Sequence, residues 1–179
     1  MPNSPNTQYG VFARVLHWAN AAFIIGLLGL GWYMVDLSYF DRWYNAALST
    51  HKSLGVMALG AVCFSLLWRI YSPTPPLVAT IKPWERFAAK TVHRLLYVMM
   101  VAIPVSGYLI STSTGEGVSV FGWFVVPALV PLDERSRDMA IAFHYYLAYG
   151  TACVVLLHAA AAFKHQFIDK DGTLRRMLW

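Results

Sequence analysis

Four long apolar stretches, separated by shorter polar segments, dominate the hydropathy pattern of the sequence. A helix needs ~20 residues to cross the hydrocarbon core of a bilayer, at about 1.5 Å per residue. The four stretches meet that length and cover residues 15–35, 48–68, 92–110 and 139–163. The third contains Pro104, which a membrane helix tolerates when its neighbours satisfy the freed carbonyl. The pattern predicts an all-α fold: a transmembrane four-helix bundle that forms a single integral-membrane domain over residues 1–179.

The composition agrees with a membrane protein and excludes several soluble classes. Hydrophobic residues make up 58% of the chain and charged residues only 13%. Soluble domains usually carry about twice that charged share, and so much apolar surface cannot be hidden in one small core, so membrane lipid is the expected environment. The formal net charge is +5. Its basic residues sit in short blocks between the apolar runs rather than in a stripe, so no nucleic-acid partner is expected.

The basic residues are distributed unevenly over the two sides of the predicted spans. Ten of the fourteen Lys and Arg residues lie beside the start of the first span, around the second connection or after the fourth span. The four on the opposite side are Arg42, Lys52, Arg135 and Arg137. Because loops rich in Lys and Arg stay in the cytoplasm, the sequence predicts a multi-pass protein with both termini cytoplasmic.

The third connection contains an apolar and aromatic stretch over residues 118–130. Gly122 and Pro127 interrupt this stretch, and it is too short to span a bilayer, so it is expected to lie along the outer interface. Two interpretations stay open: a lid over the outer end of the bundle that controls access, or a plain interfacial loop.

Six histidines carry the candidate chemistry, and each lies in or at the edge of a predicted span. They are His17, His51, His93, His144, His158 and His165. Ionisable groups at membrane depth are costly and usually face the interior of a bundle. One such residue alone is readily explained as a hydrogen-bonded structural histidine, whereas six in four helices favour cofactor ligation.

The spacing of four of these histidines assigns them to two levels. His144 and His158 are fourteen residues apart, close to four helical turns, so they share a face and are separated by about 21 Å along the axis. His51 is expected level with His144 near the outer surface, and His17 level with His158 near the inner one. Each level thus offers two imidazoles for the axial positions of a haem iron. Zinc prefers four close ligands, so the spacing predicts two b-type haems instead.

The other polar candidates have two interpretations each. His165 follows His158 by seven residues, and His93 lies near the inner end of the third span. The hypothesis is that both line a quinone site beside the inner haem and exchange its protons; the alternative is interfacial histidines bonded to water or haem propionates. Arg69 and Lys52 are candidates to pair with haem propionates, or they extend their side chains to the interface.

Several motifs together resemble the bacterial cytochrome b561 family, the dihaem four-helix membrane cytochromes, over essentially the whole chain. The motifs are His17-Trp18, His51-Lys52-Ser53-Leu54-Gly55, Arg69 with Pro73-Thr74-Pro75-Pro76, His93, Pro104 with Gly107, His144, His158-Ala159-Ala160-Ala161-Ala162 with His165, and the ending 169–177.

The resemblance implies the same ligand pairs that the spacing suggests. His17 and His158 are expected to hold the inner haem, and His51 and His144 the outer haem. The resemblance also implies a bacterial inner-membrane location and a ubiquinone site near the cytoplasmic face, to which the two remaining histidines correspond.

Two classes of function follow from these expectations. The first is an enzyme in which a periplasmic one-electron donor, such as superoxide, reduces the outer haem and electrons reach ubiquinone near the cytoplasmic face. The second is a non-catalytic cytochrome b subunit or carrier that relays electrons for a periplasmic or membrane partner protein. A third, weaker alternative is a haem-free transporter or scaffold that uses its histidines as a proton relay. Basic residues on the outer side attract an anion, but six acidic residues there oppose strong steering.

Overall fold

The computed structural model describes residues 8–72, 74–78 and 80–178, and it contains the expected four long helices. The helices are α1 Val11–Val35, α2 Tyr44–Tyr71, α3 Pro83–Ser111 and α4 Glu134–Phe163, followed by a π-helical turn Lys164–Ile168 and a short α5 Arg175–Leu178. The predicted all-α bundle is confirmed, with one addition among the described residues. This is a small antiparallel hairpin formed by strands β1 Val118–Val120 and β2 Phe124–Val126.

Polar caps make the helices longer than their apolar centres. Pro83 occupies the first turn of α3, where its missing N–H costs nothing, and the Glu85 carboxylate accepts a hydrogen bond from the Lys82 N–H at 3.1 Å. Asp133 caps α4 by accepting a bond from the Ser136 N–H at 2.7 Å. The predicted spans 92–110 and 139–163 therefore lie inside longer helices whose first turns are polar.

Consecutive helices pack side by side, and the start of α1 and the segment after α4 lie at the same end of the bundle. A buried hydrogen bond of 2.7 Å from the Asn20 side-chain amide to the Ser65 hydroxyl joins α1 to α2. The Trp18 indole N–H donates to the Met177 carbonyl at 3.0 Å, so the C-terminal segment packs against α1. We call this the terminal end, and the opposite end, which carries β1 and β2, the hairpin end.

The outer surface of the bundle is apolar along all four long helices. Each of them is long and apolar enough to cross a membrane. Large hydrophobic side chains such as Ile25, Phe64, Val98 and Leu156 are exposed on the surface. A surface of this kind is stable against hydrocarbon rather than water, so the chain is a membrane protein in contact with lipid.

The hairpin packs against α2 and is held by one buried serine. The Ser53 hydroxyl accepts a hydrogen bond from the Phe121 N–H at 3.1 Å and donates one to the Ser119 carbonyl at 3.3 Å. Val118 and Val120 of β1 are buried. The third connection is thus anchored to α2 two residues beyond His51, and a lid over the outer end stays a prediction.

Candidate functional site

Two pairs of histidines face each other inside the bundle, one near each end. At the terminal end, His17 of α1 faces His158 of α4, with ring centroids 6.2 Å apart and ring planes at 59°. At the hairpin end, His51 of α2 faces His144 of α4, with centroids 6.3 Å apart and planes at 73°. The helix α4 therefore contributes one imidazole to each pair.

The spacing within each pair fits two axial ligands of a single metal ion. An imidazole nitrogen binds a first-row metal at about 2 Å and lies about 1 Å from its own ring centroid, so opposed ligands have centroids about 6 Å apart. No other described His, Cys, Asp or Glu joins either pair to form a cluster of three or more metal donors. Two opposed imidazoles without further protein ligands match the axial demands of haem iron better than the tetrahedral demands of zinc.

The contacts of His144 determine which of its ring nitrogens carries the proton. Its Nδ1 lies 3.1 Å from the Ile103 carbonyl and 2.9 Å from the Ser106 hydroxyl. The Ser106 hydroxyl donates its own hydrogen to the same carbonyl at 2.7 Å. Because the carbonyl only accepts and the hydroxyl proton is already committed, Nδ1 of His144 must be the donor. This leaves the Nε2 lone pair available for a metal, because a histidine that binds a metal through one nitrogen usually donates a hydrogen bond from the other.

Glycines allow neighbouring helices to approach two of the imidazoles. A Cβ atom at Gly107 of α3 would lie 3.2 Å from Cε1 of His144, and one at Gly31 of α1 would lie 3.4 Å from Cε1 of His51. The Nδ1 atom of His51 is buried and has no hydrogen-bond partner among the described residues. A buried ring nitrogen without a hydrogen-bond partner is unusual, and a bound cofactor near His51 would account for it.

His93 lies beside the terminal-end pair of histidines. Its ring centroid is 5.3 Å from that of His158, whereas the centroids of His17 and His158 are 6.2 Å apart. Arg69 also reaches this level: it interacts electrostatically with His93, and its guanidinium donates to the Tyr97 hydroxyl at 3.2 Å.

Lys52, the other predicted propionate partner, makes no hydrogen bond or ion pair to another described residue.

Thr151 is a residue that the sequence analysis missed. It lies seven positions from both His144 and His158, so all three share one face of α4. Its buried hydroxyl has no hydrogen-bond partner within the described part of the chain. The seven-residue spacing was the available signal.

His165 belongs to a cluster of charged residues at the terminal end. Its Nδ1 atom lies 2.7 Å from Asp171 Oδ2 and 3.0 Å from Asp169 Oδ2. The Lys164 ammonium binds Asp169 at 2.7 Å and Glu85 of α3 at 2.6 Å. Although Glu85, His165 and Asp169 are close enough to hold a metal ion, the Lys164 ammonium already bridges the two carboxylates, so the cluster is an ion-pair network.

The carboxylate of Asp171 is ionised in this cluster. Burial alone would raise its pKa, but hydrogen bonds from the Thr173 hydroxyl, the Thr173 N–H and the His165 ring outweigh burial and hold the pKa of Asp171 below its ordinary value. The charge of Asp171 is therefore stabilised chiefly by Thr173 and His165.

An apolar four-helix bundle with one histidine pair near each end, each spaced for one metal, has the architecture of a membrane cytochrome of b type. Comparison with known sequences identifies the particular family. The family described as prokaryotic cytochrome b561 matches residues 8–179. The chain belongs to this family of membrane electron-transfer proteins, and membership implies b-type haem.

Three curated relatives have names that agree with this family. "Cytochrome b561 homolog 2" of Escherichia coli K12 is 43% identical over 98% of this chain and 93% of its own length. "Probable superoxide oxidase CybB" of Yersinia pestis is 29% identical over 96% of both chains. "Cytochrome b561 homolog 1" of Escherichia coli K12 is 26% identical over 91% of this chain and 92% of its own length.

Proposed function

We propose that this protein transfers electrons across the membrane through two b haems, from a one-electron donor at the hairpin end to ubiquinone at the terminal end. The observation that carries the proposal is the pair of imidazoles at each end, with centroids 6.2 Å and 6.3 Å apart. Fourteen residues of α4 separate the two levels by about 21 Å along the helix axis. Two redox centres at these levels form a path between the two membrane surfaces.

In this proposal the chain supplies the ligands and their orientation. His17 and His158 hold one haem, and His51 and His144 hold the other. Haem iron accepts and releases single electrons when it is bound in this way. The Ile103 carbonyl fixes the tautomer of His144. We assign Lys52 and Arg69 to neutralise propionates, one at each level.

Quinone reduction is placed at the terminal end, where His93, Arg69 and His165 lie. Quinone takes two electrons and two protons to form quinol, so the site needs proton donors as well as an electron path. His93 is beside the haem ligand His158 and is suited to hydrogen-bond a quinone carbonyl. His165 is suited to donate a proton because two carboxylates contact its ring.

Superoxide is the donor that we propose for the hairpin end. Two superoxide ions give up one electron each and leave as two oxygen molecules, which supplies both electrons for one quinone. One relative carries the name probable superoxide oxidase. Besides Lys52, the hairpin end carries the basic residues Arg135 and Arg137. A local cation of this kind attracts an anion even where the surrounding surface is mixed in charge.

The orientation in the membrane completes the proposal. The terminal end carries ten of the fourteen basic residues of the chain. We therefore assign the terminal end to the cytoplasm and the hairpin end to the periplasm of a bacterial inner membrane. Superoxide would then be oxidised on the periplasmic side, and protons for quinol would be taken from the cytoplasm.

Haem content and spectra test the ligand assignment. We expect two haems per chain in the purified protein and b-type bands in the reduced-minus-oxidised spectrum. His144→Ala and His158→Ala should each lose one haem, and Lys170→Ala, which alters an exposed charge, should keep both. A protein without b-type bands, or ligand variants that retain two haems, would contradict the assignment.

The donor and acceptor are tested on the same protein in lipid vesicles. We expect superoxide to reduce the haems rapidly and ubiquinone to reoxidise them, with two superoxide ions consumed per quinol formed. If superoxide fails but a co-purifying protein reduces the haems, the chain is a carrier subunit and the enzymatic proposal is wrong.

A further inference from the structure

The chain after α4 folds back on itself around His165. The helix continues as the π-helical turn Lys164–Ile168, a rare geometry that often marks functional positions. The chain then reverses, with Lys170 at φ 55° and Gly172 at φ 76°. A left-handed conformation is unfavourable for lysine because of its Cβ, so surrounding contacts must maintain this turn. The reversal lets the Asp171 N–H donate to the His165 carbonyl at 3.2 Å.

The Asp171 carboxylate is buried in this turn, and both of its oxygens are engaged. Only 4% of its side chain is exposed. Oδ1 accepts bonds from the Thr173 N–H at 2.9 Å and from the Thr173 hydroxyl at 2.6 Å. Oδ2 faces Nδ1 of His165 at 2.7 Å. Thr173 therefore holds the carboxylate in one orientation, and the carboxylate in turn holds the imidazole.

This contact determines which nitrogen of His165 exchanges protons. An ionised carboxylate only accepts, so the hydrogen of the short contact belongs to Nδ1, whether the ring is neutral or cationic. Nε2 is left as the nitrogen that gains or loses a proton, and no described residue bonds to it. Catalytic histidines are often oriented in this way: a carboxylate accepts a hydrogen bond from one ring nitrogen, and the other ring nitrogen exchanges the proton.

The charged groups around His165 come from α3, from the π-helical turn and from the chain reversal that follows it. Glu85 of α3, Asp169 and Asp171 supply three carboxylates, and Lys164 supplies one ammonium, which pairs with the first two. Lys164 contacts Glu85 and Asp169 but not Asp171, whose carboxylate faces the imidazole directly. Asp169 is partly exposed and also contacts Nδ1, which links the cluster to water at the membrane surface.

We propose that Asp171 is a positioning residue for proton delivery to quinone: it orients His165 so that Nε2 is the proton-donating atom. The inference rests on the proposed function, because it assigns a role within the same quinone site. As two electrons reach quinone, the Nε2 proton of His165 passes to a quinone oxygen. Water at the terminal end then restores that proton, and the second proton of quinol also comes from this side.

The test replaces the carboxylate with its neutral isostere. In Asp171→Asn, the amide can still accept from Thr173 but presents a donor to Nδ1, which moves the imidazole hydrogen to Nε2 in the neutral ring and removes the anion that supports the cationic ring. We expect kcat for quinone reduction to fall by about tenfold or more, since general acid catalysis contributes at least that much. KM should change much less, and the pH profile of kcat should shift. Both haems should be retained.

Two matched variants separate positioning from mere stability of the turn. Thr173→Val loses the hydroxyl donor but keeps the carboxylate against His165, so its pH profile should stay close to that of the unmodified protein. Asp138→Asn removes a distant exposed carboxylate at the hairpin end and should change neither kcat nor the profile. Nitrogen NMR of isotope-labelled histidine in the reduced protein should show the hydrogen of His165 on Nδ1, and on Nε2 in Asp171→Asn.

The outcomes distinguish this inference from the proposed function. If ubiquinone fails to reoxidise the haems of the unmodified protein, the quinone function is wrong and the role of Asp171 falls with it. If quinone reoxidises them normally but Asp171→Asn leaves kcat, pH profile and the His165 tautomer unchanged, the inference alone is overturned. Equal losses in Asp171→Asn and Thr173→Val would assign Asp171 a structural role and overturn it as well.

Discussion

Ser106 and Ile103 together determine the environment of the His144 ring. The Ile103 carbonyl accepts from the Ser106 hydroxyl at 2.7 Å and from His144 Nδ1 at 3.1 Å, so three groups form one small network. Hydrogen bonds from Nδ1 of a ligating histidine increase its basicity and favour the oxidised metal. Ser106, which is not a proposed ligand, is therefore expected to influence the reduction potential of a haem bound by His144.

We expect Ser106→Ala to raise the reduction potential of the hairpin-end haem and leave the other haem unchanged. The substitution removes the 2.9 Å contact to Nδ1, which weakens the support of the oxidised state. Redox titration of the visible spectrum measures both potentials. Ser113→Ala is the matched control, because Ser113 bonds the Ile110 carbonyl of the same helix and makes no contact with a histidine. Unchanged potentials in Ser106→Ala would contradict this role.

Only part of the site was predictable at the scale of residues. Helical rise alone indicated that His144 and His158 share a face and lie at two levels, and the structure brings a second imidazole close to each. The side that α3 turns toward these pairs was not predictable, because it depends on the packing of the helix against its neighbours rather than on its own sequence. The contact of His93 with His158 is one such detail: the sequence predicted only that His93 lies near the inner pair, and the structure gives the ring contact itself.

At the scale of helices and strands, the sequence predicted the apolar centres of the helices but not their polar ends. Hydropathy located the four spans, because each must cover a bilayer with apolar residues. The ends depend on single contacts, such as Asp133 with Ser136, and these extend the helices through polar turns that hydropathy leaves out. The hairpin has strands of only three residues, too short for a recognisable alternation, and it is held by Ser53 of a distant helix.

The hairpin depends on Ser53 because that hydroxyl satisfies two of its backbone groups. Ser53→Ala leaves the Phe121 N–H and the Ser119 carbonyl without this partner, and an unsatisfied buried group costs about 1–3 kcal/mol. We expect faster amide hydrogen exchange at residues 118–126, with exchange in α2 unchanged. Thr114→Ala, an exposed position on the same connection, should leave exchange as it is. Equal exchange in both variants would show that the hairpin is held by its valines alone.

At the scale of the whole molecule, charge and topology connect the site to the membrane. An even number of spans places both termini at one end, and the C-terminal segment packs there against α1. The hairpin end carries only Arg42, Lys52, Arg135 and Arg137 among the fourteen basic residues. Helix insertion usually retains the more basic side in the cytoplasm, so we expect the terminal end to face the cytoplasm and the proposed electron path to run toward it.

Site-directed labelling in intact cells tests this direction. Cys63 and Cys153 are free and are replaced by alanine, after which a single cysteine is introduced at the exposed hairpin-end residue Glu116 or, in a second variant, at the terminal-end residue Lys170. We expect a membrane-impermeant thiol reagent to label Glu116→Cys in intact cells, and Lys170→Cys only after the membrane is opened. The opposite pattern would place the histidine pair at 6.2 Å on the periplasmic side, with His165 and its carboxylates. Quinol protons would then come from the periplasm, so this labelling decides on which side of the membrane proton uptake occurs.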